Sequence, residues 1–415
     1  MTIHVPRIHT AGEKALIAAI EAARPMLPGN AAIGKKRDAA LALLRAEGLP
    51  SRKIEDWHYT DLRTLLRGLP DAGKPVSAKA LVKNASVIAA NDAGVSNLAQ
   101  IDGVSISSIA PEFVSGAVDN LMRIGSPTDA VGVVSTALAS TGFEIAVKEG
   151  VETSVPLQMD FASQVSLHAV NRISVGANAK ATLIERTHGG GLSSVITDLT
   201  IGDHADVTFV ILQELVDDAA HMARLTINIG KHAKVMLVVI NTGAGLARRE
   251  IDVTLNGEHT DFRIRGMNLL SGKRFNDVTM VVRHIVEHTS STEFFRNVVT
   301  GAGKGVFQGQ IRVAAEAQKT DAKMACNTLL LSDDGEFLAK PELEIFADDV
   351  ACGHGCTVTE INKDHLFYLM ARGVPANDAR AMLVRAFVSE LVDEIEDEAL
   401  HIALNERLAK WLASH

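Results

Sequence analysis

The sequence predicts a mainly β fold: a parallel β-helix, or solenoid, lying between two helical regions. Three observations predict it. Four segments in the middle of the chain repeat one strand–turn–strand pattern. Helical periodicity is confined to the two ends. The composition is aliphatic, with 47% hydrophobic but only 4% aromatic residues in 415, which suits a core of stacked Val, Ile, Leu and Ala side chains. The expected divisions are 1–141, helical and mixed; 142–350, solenoid; and 351–415, the strand end and C-terminal helices.

The N-terminal region opens with "EKALIAAIEAARPML", whose apolar residues recur at helical spacing and whose Pro25 marks a break. "KRDAALALLRAEGLP" is a second helix, stopped by Gly48 and Pro50. "SRKIEDWHYTDLRTLL" follows, with Ser51 as the expected N-cap. Short strands are expected near 86–90 and 104–108, and a helix near 128–139.

The repeats begin after 142. They read "ISVGANAKATLIE" from Ile173, "LTIGDHADVTFVI" from Leu199, "INIGKHAKVMLVV" from Ile227 and, more loosely, "VTLNGEHTDFRIR" from Val253. The turn glycines Gly176, Gly202 and Gly230 lie 26 and 28 residues apart, and Ala179, Ala205 and Ala233 keep the same intervals. A repeat of this length made of strands is a solenoid signature. The LxxLxL pattern of leucine-rich repeats and the six-residue period of hexapeptide β-helices are both missing from it. After 363 the period turns helical again: "KDHLFYLMARG" ends at Gly373, a candidate C′ glycine, and one or two amphipathic helices follow.

Composition also excludes partners. The formal charge is −9 and no Lys/Arg cluster offsets it, which argues against nucleic acid. Apolar runs such as "VMLVVI" are strand-length, far short of a membrane span. "MTIHVPRIHTAGEK" has no apolar signal-type core. Three cysteines cannot all pair, so a reducing cytoplasm with free thiols or thiolate ligands is expected.

All three cysteines fall between Cys326 and Cys356. Cys326 and Cys352 are 26 residues apart, equal to the shorter repeat interval, so they are expected to stack on adjacent coils. In "CGHGC", Cys352, His354 and Cys356 share one strand face, and glycines alone occupy the other. Neighbours on that face are roughly 6.6 Å apart and the outer two about 13 Å apart. One tetrahedral zinc cannot hold all three. The row suits ligands shared with a second chain, or handling of soft-metal or sulfur species; the bland alternative is buried cysteines acting as small hydrophobes.

These residues carry a family resemblance. "KPELEIFADDV", the Cys-x-His-Gly element at Cys352–Gly355 and "LFYLMARG" resemble the C-terminal signature of the SufB/SufD family, scaffold subunits of the SUF iron–sulfur cluster assembly machinery. Arg52, Glu55, Trp57 and Thr60 resemble the family's early Arg-x-x-Glu-x-Trp-x-x-Thr element. Length and the elements around His354 resemble the SufD branch. The resemblance implies a right-handed parallel β-helix, a SufB-like partner at the β-helix edge, and a SufC-like ABC ATPase docked at the C-terminal helices through Leu366, Phe367, Tyr368, Arg372 and Gly373. It implies that His354, with Cys352 and Cys326, lies where a transient iron–sulfur cluster forms between subunits. His354 and Cys352 are the candidate metal ligands, shared with the partner chain. No cofactor is expected to be held tightly by the chain alone, and a homodimer is expected in the partner's absence. Cys326 stands where this branch more often has a polar residue, and Cys356 where a small one is expected. For Cys326 an extra ligand and neutral variation both remain open; Cys356 reads as neutral.

Other residues are weaker candidates. Trp57 and Tyr59 read as a packing anchor in preference to a partner surface. His284 and His288 share a face at i and i+4 but lack a carboxylate motif, so they read as solvated. "HGGGL" has no following Lys-Ser/Thr and reads as a solenoid turn. No Walker motif is present, so ATP hydrolysis belongs to a partner. The acidic run from Glu390 to Glu398 is either a solvated helix face or the border of the ATPase dock. The leading function is a non-enzymatic scaffold; the alternatives are a polysaccharide-active β-helix enzyme and a purely structural homodimer.

Overall fold

The computed structural model describes residues 8–74 and 76–414. The first half of the stretch read as lacking a signal-type core therefore lies outside the described residues. Two long parallel sheets, of ten and nine strands, form the solenoid. The chain alternates between them: each coil contributes one strand to the first sheet and the next to the second. Strands Lys180–Gly189 and Asp206–Leu215 are stacked in the ten-stranded sheet, and Ser166–Val175 and Leu192–Ile201 in the nine-stranded sheet. The four sequence repeats are the corners where the chain crosses between sheets.

Close stacking explains the corner residues. A Cβ on Gly202 would lie 2.6 Å from the Ala177 backbone nitrogen of the preceding coil, so only glycine fits. Two residues on, Asn178, His204, His232, His259, His288 and Lys319 all adopt left-handed backbone with φ between 54 and 62°. Each donates its N–H to a carbonyl of the next coil, as His204 does to Lys231 at 2.8 Å. Four of these residues form a ladder of stacked imidazoles, His204–His232–His259–His288, with centroids 4.8, 4.9 and 5.1 Å apart. That spacing is the strand separation, roughly 4.8 Å.

The space between the sheets is filled by rows of apolar side chains such as Leu183, Phe209, Leu237 and Ile264. A polar row is buried among them. Asn241 donates to Asn268 at 2.8 Å, and Asn268 to Asn297 at 2.7 Å. Such a row satisfies side-chain amides without solvent because each coil presents the next amide one strand away.

The helical regions cover opposite outer faces. α1 (Ala11–Ala23), α2 (Ala31–Glu47) and α3 (Ala130–Leu138) lie on the nine-stranded sheet, burying Leu16, Leu44, Val131 and Val134 with Ile196 and Met222. Thr10 and Glu13 form a capping box at α1, and Asn30 caps α2. No helix begins at Ser51. Residues 51–66 are turns and single helical turns, and the cap in this stretch is Asp61. The segment is shaped instead by docking: the Arg248 guanidinium sits 3.9 Å from the Trp57 ring centre, and the Glu55 carboxylate meets Lys340 at 2.6 Å. Thr60 hydrogen-bonds Asp277, which also binds Arg248. Trp57 is thus a buried anchor.

At the other end α4 (Lys363–Ala371), α5 (Ala376–Val392) and α6 (Glu398–Ser414) follow the last strand. α5 and α6 bury Val384, Val388, Leu391, Leu404 and Leu408 against Val210, Val238 and Met267 on the outside of the ten-stranded sheet. Part of the acidic run belongs to this joint: Glu390 pairs with Arg296 at 2.7 Å and Glu394 with Arg265 at 2.5 Å. No helix among the described residues is long and apolar enough to cross a membrane.

His284 and His288 do not share a solvated face. His288 is in the corner ladder, whereas His284 is buried and bonded to Thr289 and Ser291 at 2.8 and 3.0 Å. Burial pulls His284 down to about 4, and His168 and His221 to about 3. A depressed histidine contributes stability above its unfolded value, near 6.5, and that stability is lost as pH falls toward the folded value. In urea unfolding at about pH 7 and about pH 5, the wild type is expected to lose more stability than His284→Gln, by on the order of 1 kcal/mol per pH unit. Parallel losses in both proteins would mean His284 is not held neutral.

Candidate functional site

The three cysteines and His354 meet at the C-terminal end of the solenoid. The last strand of the ten-stranded sheet, Ala351–Thr359, has a neighbour on one side only, Asp321–Leu330. The last strand of the nine-stranded sheet, Glu336–Ile345, is likewise an edge. The solenoid therefore ends in two unpaired strand edges, with Phe346 and Val358 exposed beside them.

The register is not the expected one. Cys326 lies opposite Cys356, and Cys352 opposite Ala322. Coil spacing is 26 residues early in the solenoid, as between Asn171 and Thr197, but 30 here, as between Asn327 and Thr357. The strand Glu336–Ile345 is no longer than Leu192–Ile201, but the corners on either side of it, 331–335 and 346–350, are longer than the earlier 190–191 and 202–205, so an interval of 26 no longer marks stacking. Cys356, read as neutral, is the strand partner of Cys326. The signal that identifies it is the lengthening of the repeat toward the C-terminus.

Cys352, His354 and Cys356 continue the inward-facing row Ala322, Met324 and Cys326 by one coil. Cys326 is fully buried, Cys352 and Cys356 are half-buried against the core, and His354 is exposed. Among the described residues no further coil covers the inner face of this strand. On the outer face a Cβ at Gly353 or Gly355 would meet nothing within 4 Å. The glycine face is thus open space on an edge strand, where another backbone can approach without side-chain obstruction.

The thiols differ. Burial pushes the Cys326 thiol well up, and hydrogen bonding to Cys356 adds to this. Cys356 is drawn down, chiefly by that hydrogen bond from Cys326. Burial raises Cys352. The interior amide row ends here: Asn297 donates its side-chain N–H to Cys326 Sγ at 3.2 Å and to Thr328 at 3.0 Å. Among the described residues no three His, Cys, Asp or Glu side chains converge closely enough to hold a metal ion.

Sequence reading missed Glu293. It lies two coils back in the same inward row, Glu293–Met324–His354. It is fully buried, with no hydrogen-bond partner at either carboxylate oxygen, and burial pushes it up to about 8. Nothing in the local pattern "STEFFRNVV" distinguishes an inward Glu from an outward one.

The residues implied for an ATPase dock form one exposed patch. α4 buries no residue, and Phe367 and Tyr368 are 72% and 58% exposed. Arg372 stacks over the Tyr368 ring at 5.2 Å. Gly373, at φ 88°, ends the helix: its N–H bonds Met370 and that of Val374 bonds Leu369, the paired bonds of a Schellman stop. Leu366 is half-buried beside them.

A two-sheet parallel solenoid with covered outer faces and an open, thiol-bearing end defines the class of protein. The family model described as "SUF system FeS cluster assembly, SufBD core domain" matches residues 159–387, more than half of the chain, and the chain belongs to this family. Within it the likeness is to SufD. The chain is 28% identical over 393 residues to the iron–sulfur cluster assembly protein SufD of Escherichia coli, covering 89% of this chain and 90% of that one. It is 27% identical to an iron–sulfur cluster assembly SufBD family protein of Synechocystis, covering 87% of each chain. It is 25% identical to the chloroplastic protein ABCI7 of Arabidopsis thaliana, covering 88% of this chain and 84% of that one. This is a SufD-like protein of the SUF iron–sulfur assembly system.

The raised Glu293 carboxyl gives a testable sign. Its contribution is fully present below the unfolded value, near 4.5, and is lost as pH rises through about 8. Glu293→Gln is therefore expected to gain on wild type between those limits, by on the order of a few kcal/mol at about pH 8. Denaturant midpoints measured across that range check it. A constant difference between the two proteins would place Glu293 in a solvated or paired site.

Proposed function

We propose that the chain is a non-catalytic scaffold subunit of a SUF iron–sulfur assembly complex. In this reading the open solenoid end pairs with a SufB-like subunit, and the nascent cluster, the complex's cargo, is held transiently across the joint. His354 and Cys352 supply ligands from this side, with Cys326 behind them. The observation that carries the proposal is the open strand edge bearing exposed His354 beside two outward glycines. Strand edges are templates for pairing, and a joint there buries the apolar residues exposed next to it. Since the described residues of this chain do not bring three ligands together, the partner completes the set. The chain alone is expected to pair with a second copy through the same edges, to bind no cofactor tightly and to work in the cytoplasm.

The exposed face of α4, with Phe367, Tyr368 and Arg372, is the dock for a SufC-like ATPase. Exposed aromatics with an arginine are the composition of interface hot spots. The helix follows directly on the edge strand: Thr359 ends the strand and Lys363 begins α4. Movement at the ATPase would thus reach the cluster joint through a three-residue connection.

Anaerobic co-purification with SufB-like and SufC-like proteins tests the proposal. A stable ternary complex is expected to carry iron and sulfide. His354→Ala is expected to keep the complex but lower cluster yield by about tenfold. Full yield in that variant removes His354 from the site, and failure to associate with either protein refutes the scaffold reading.

Phe367→Ala with Tyr368→Ala is expected to weaken ATPase capture by about tenfold or more. The unfolding midpoint should not move, because neither side chain is buried. Unchanged capture would place the dock elsewhere.

A further inference from the structure

Cys326 and Cys356 are the one pair of cysteines in register on adjacent strands. Directly paired positions on neighbouring strands present side chains on the same face with backbones roughly 4.8 Å apart. That lies inside the range a disulfide can span, about 4.4–6.8 Å between Cα atoms. Cys352 is excluded: it is paired with Ala322 and lies about 13 Å along the strand from Cys356.

The pair is also asymmetric. Cys356 sits half-buried on an edge strand between Gly355 and solvent-exposed Thr357. Cys326 is sealed in the core, held by the Asn297 side-chain amide at 3.2 Å. While that edge is not paired with another chain, one thiol can be reached from outside and the other only through the first. An inert pair of core cysteines has no need of an accessible member.

We infer that Cys326 and Cys356 form a reductive dithiol that releases inorganic sulfide from a persulfide donor. The inference rests on the scaffold reading above, because an iron–sulfur cluster contains sulfide whereas a persulfide carries sulfur two electrons more oxidised. The chemistry runs in two steps. The Cys356 thiolate attacks the outer sulfur of a donor persulfide R–S–SH. The donor's S–S bond breaks, R–S⁻ leaves and takes up the proton that Cys356 gave to solvent on ionising, and Cys356 becomes Cys–S–SH. The Cys326 thiol then attacks Cys356 Sγ. The outer S–S bond breaks, the outer sulfur leaves as hydrogen sulfide carrying the Cys326 proton, and a Cys326–Cys356 disulfide forms. The two electrons taken up by the released sulfur come from the two thiols. The step is stoichiometric, one sulfide for each disulfide formed, and an external dithiol reductant returns the disulfide to two thiols.

The test uses the full-length, fully reduced chain, treated anaerobically with glutathione persulfide. Sulfide is measured colorimetrically, and thiols are mapped by alkylation and peptide mass spectrometry. The expected result is one sulfide released per Cys326–Cys356 disulfide formed, with Cys352 still alkylated as a free thiol. Cys326→Ser is expected to trap persulfide on Cys356 and to lower sulfide release about tenfold. Cys326→Ala should do the same if serine is poorly tolerated in the core. Cys356→Ser should form neither disulfide nor sulfide above the reagent's background.

The inference is overturned if wild type holds persulfide on Cys356 without forming the disulfide, or if Cys326→Ser releases sulfide like wild type. Should both Cys326 variants fail to fold, the wild-type peptide map alone decides: disulfide in step with sulfide supports the inference, and sulfide without disulfide ends it. The outcome separates from that of the scaffold reading. The isolated chain reports the dithiol chemistry, whereas association with SufB-like and SufC-like proteins and the effect of His354→Ala report the scaffold.

Discussion

Parallel, in-register stacking of successive coils is the constraint on which the structure depends. Each residue sits one strand spacing, roughly 4.8 Å, from its counterpart in the next coil. Like residues therefore form rows: aliphatics between the sheets, amides from Asn241 to Asn297, imidazoles from His204 to His288 at the corner. Rows of this kind are self-consistent only in one register, since a slip by one residue would turn every inward side chain outward. The close corners enforce the register, because Gly202 leaves no room for a Cβ against the coil before it.

The same stacking creates a problem at the ends, where a row has no next member. At the N-terminal end the sheets close with short antiparallel strands, Gly94–Ser96 against Ser86–Asn91 and Val104–Ser108 against Phe143–Val147. At the C-terminal end nothing among the described residues covers the edges. His354 is exposed although its row-mate Met324 is buried, because it is the row's last member. The position that is buried in the preceding coils, at Ile264, Glu293 and Met324, is exposed in the final one. The helices reinforce this asymmetry: they cover the outer faces of the sheets and leave the end free.

Charged groups are used to hold the helical regions to the solenoid. Arg248 stacks on Trp57 and binds Asp277, while Arg265 and Arg296 meet Glu394 and Glu390. The motif around Trp57 and the Lys340 element, far apart in sequence, join through Glu55. An ordinary packing role thus accounts for the Trp57 stretch and for part of the acidic run.

The strands, the corner glycines and the terminal helices were legible in the sequence because their causes are local. Period-2 alternation, a glycine that admits no Cβ, and a helix stop at Gly373 each depend on a few neighbouring residues. The family signature was legible for the same reason, as contiguous residues from Lys340 to Gly373. Which cysteines meet was not legible. Pairing across coils depends on the length of every intervening corner, and the interval lengthens from 26 residues early in the solenoid to between 30 and 32 at its C-terminal end. The expected Cys326–Cys352 stack gave way to Cys326–Cys356 for that reason. Likewise the burial of Glu293 and His284, and the exposure of His354, follow from whether another coil or helix lies opposite. By itself the sequence determined what each coil is made of; only the tertiary structure decided what stands next to what, because that is a sum over the whole path of the chain.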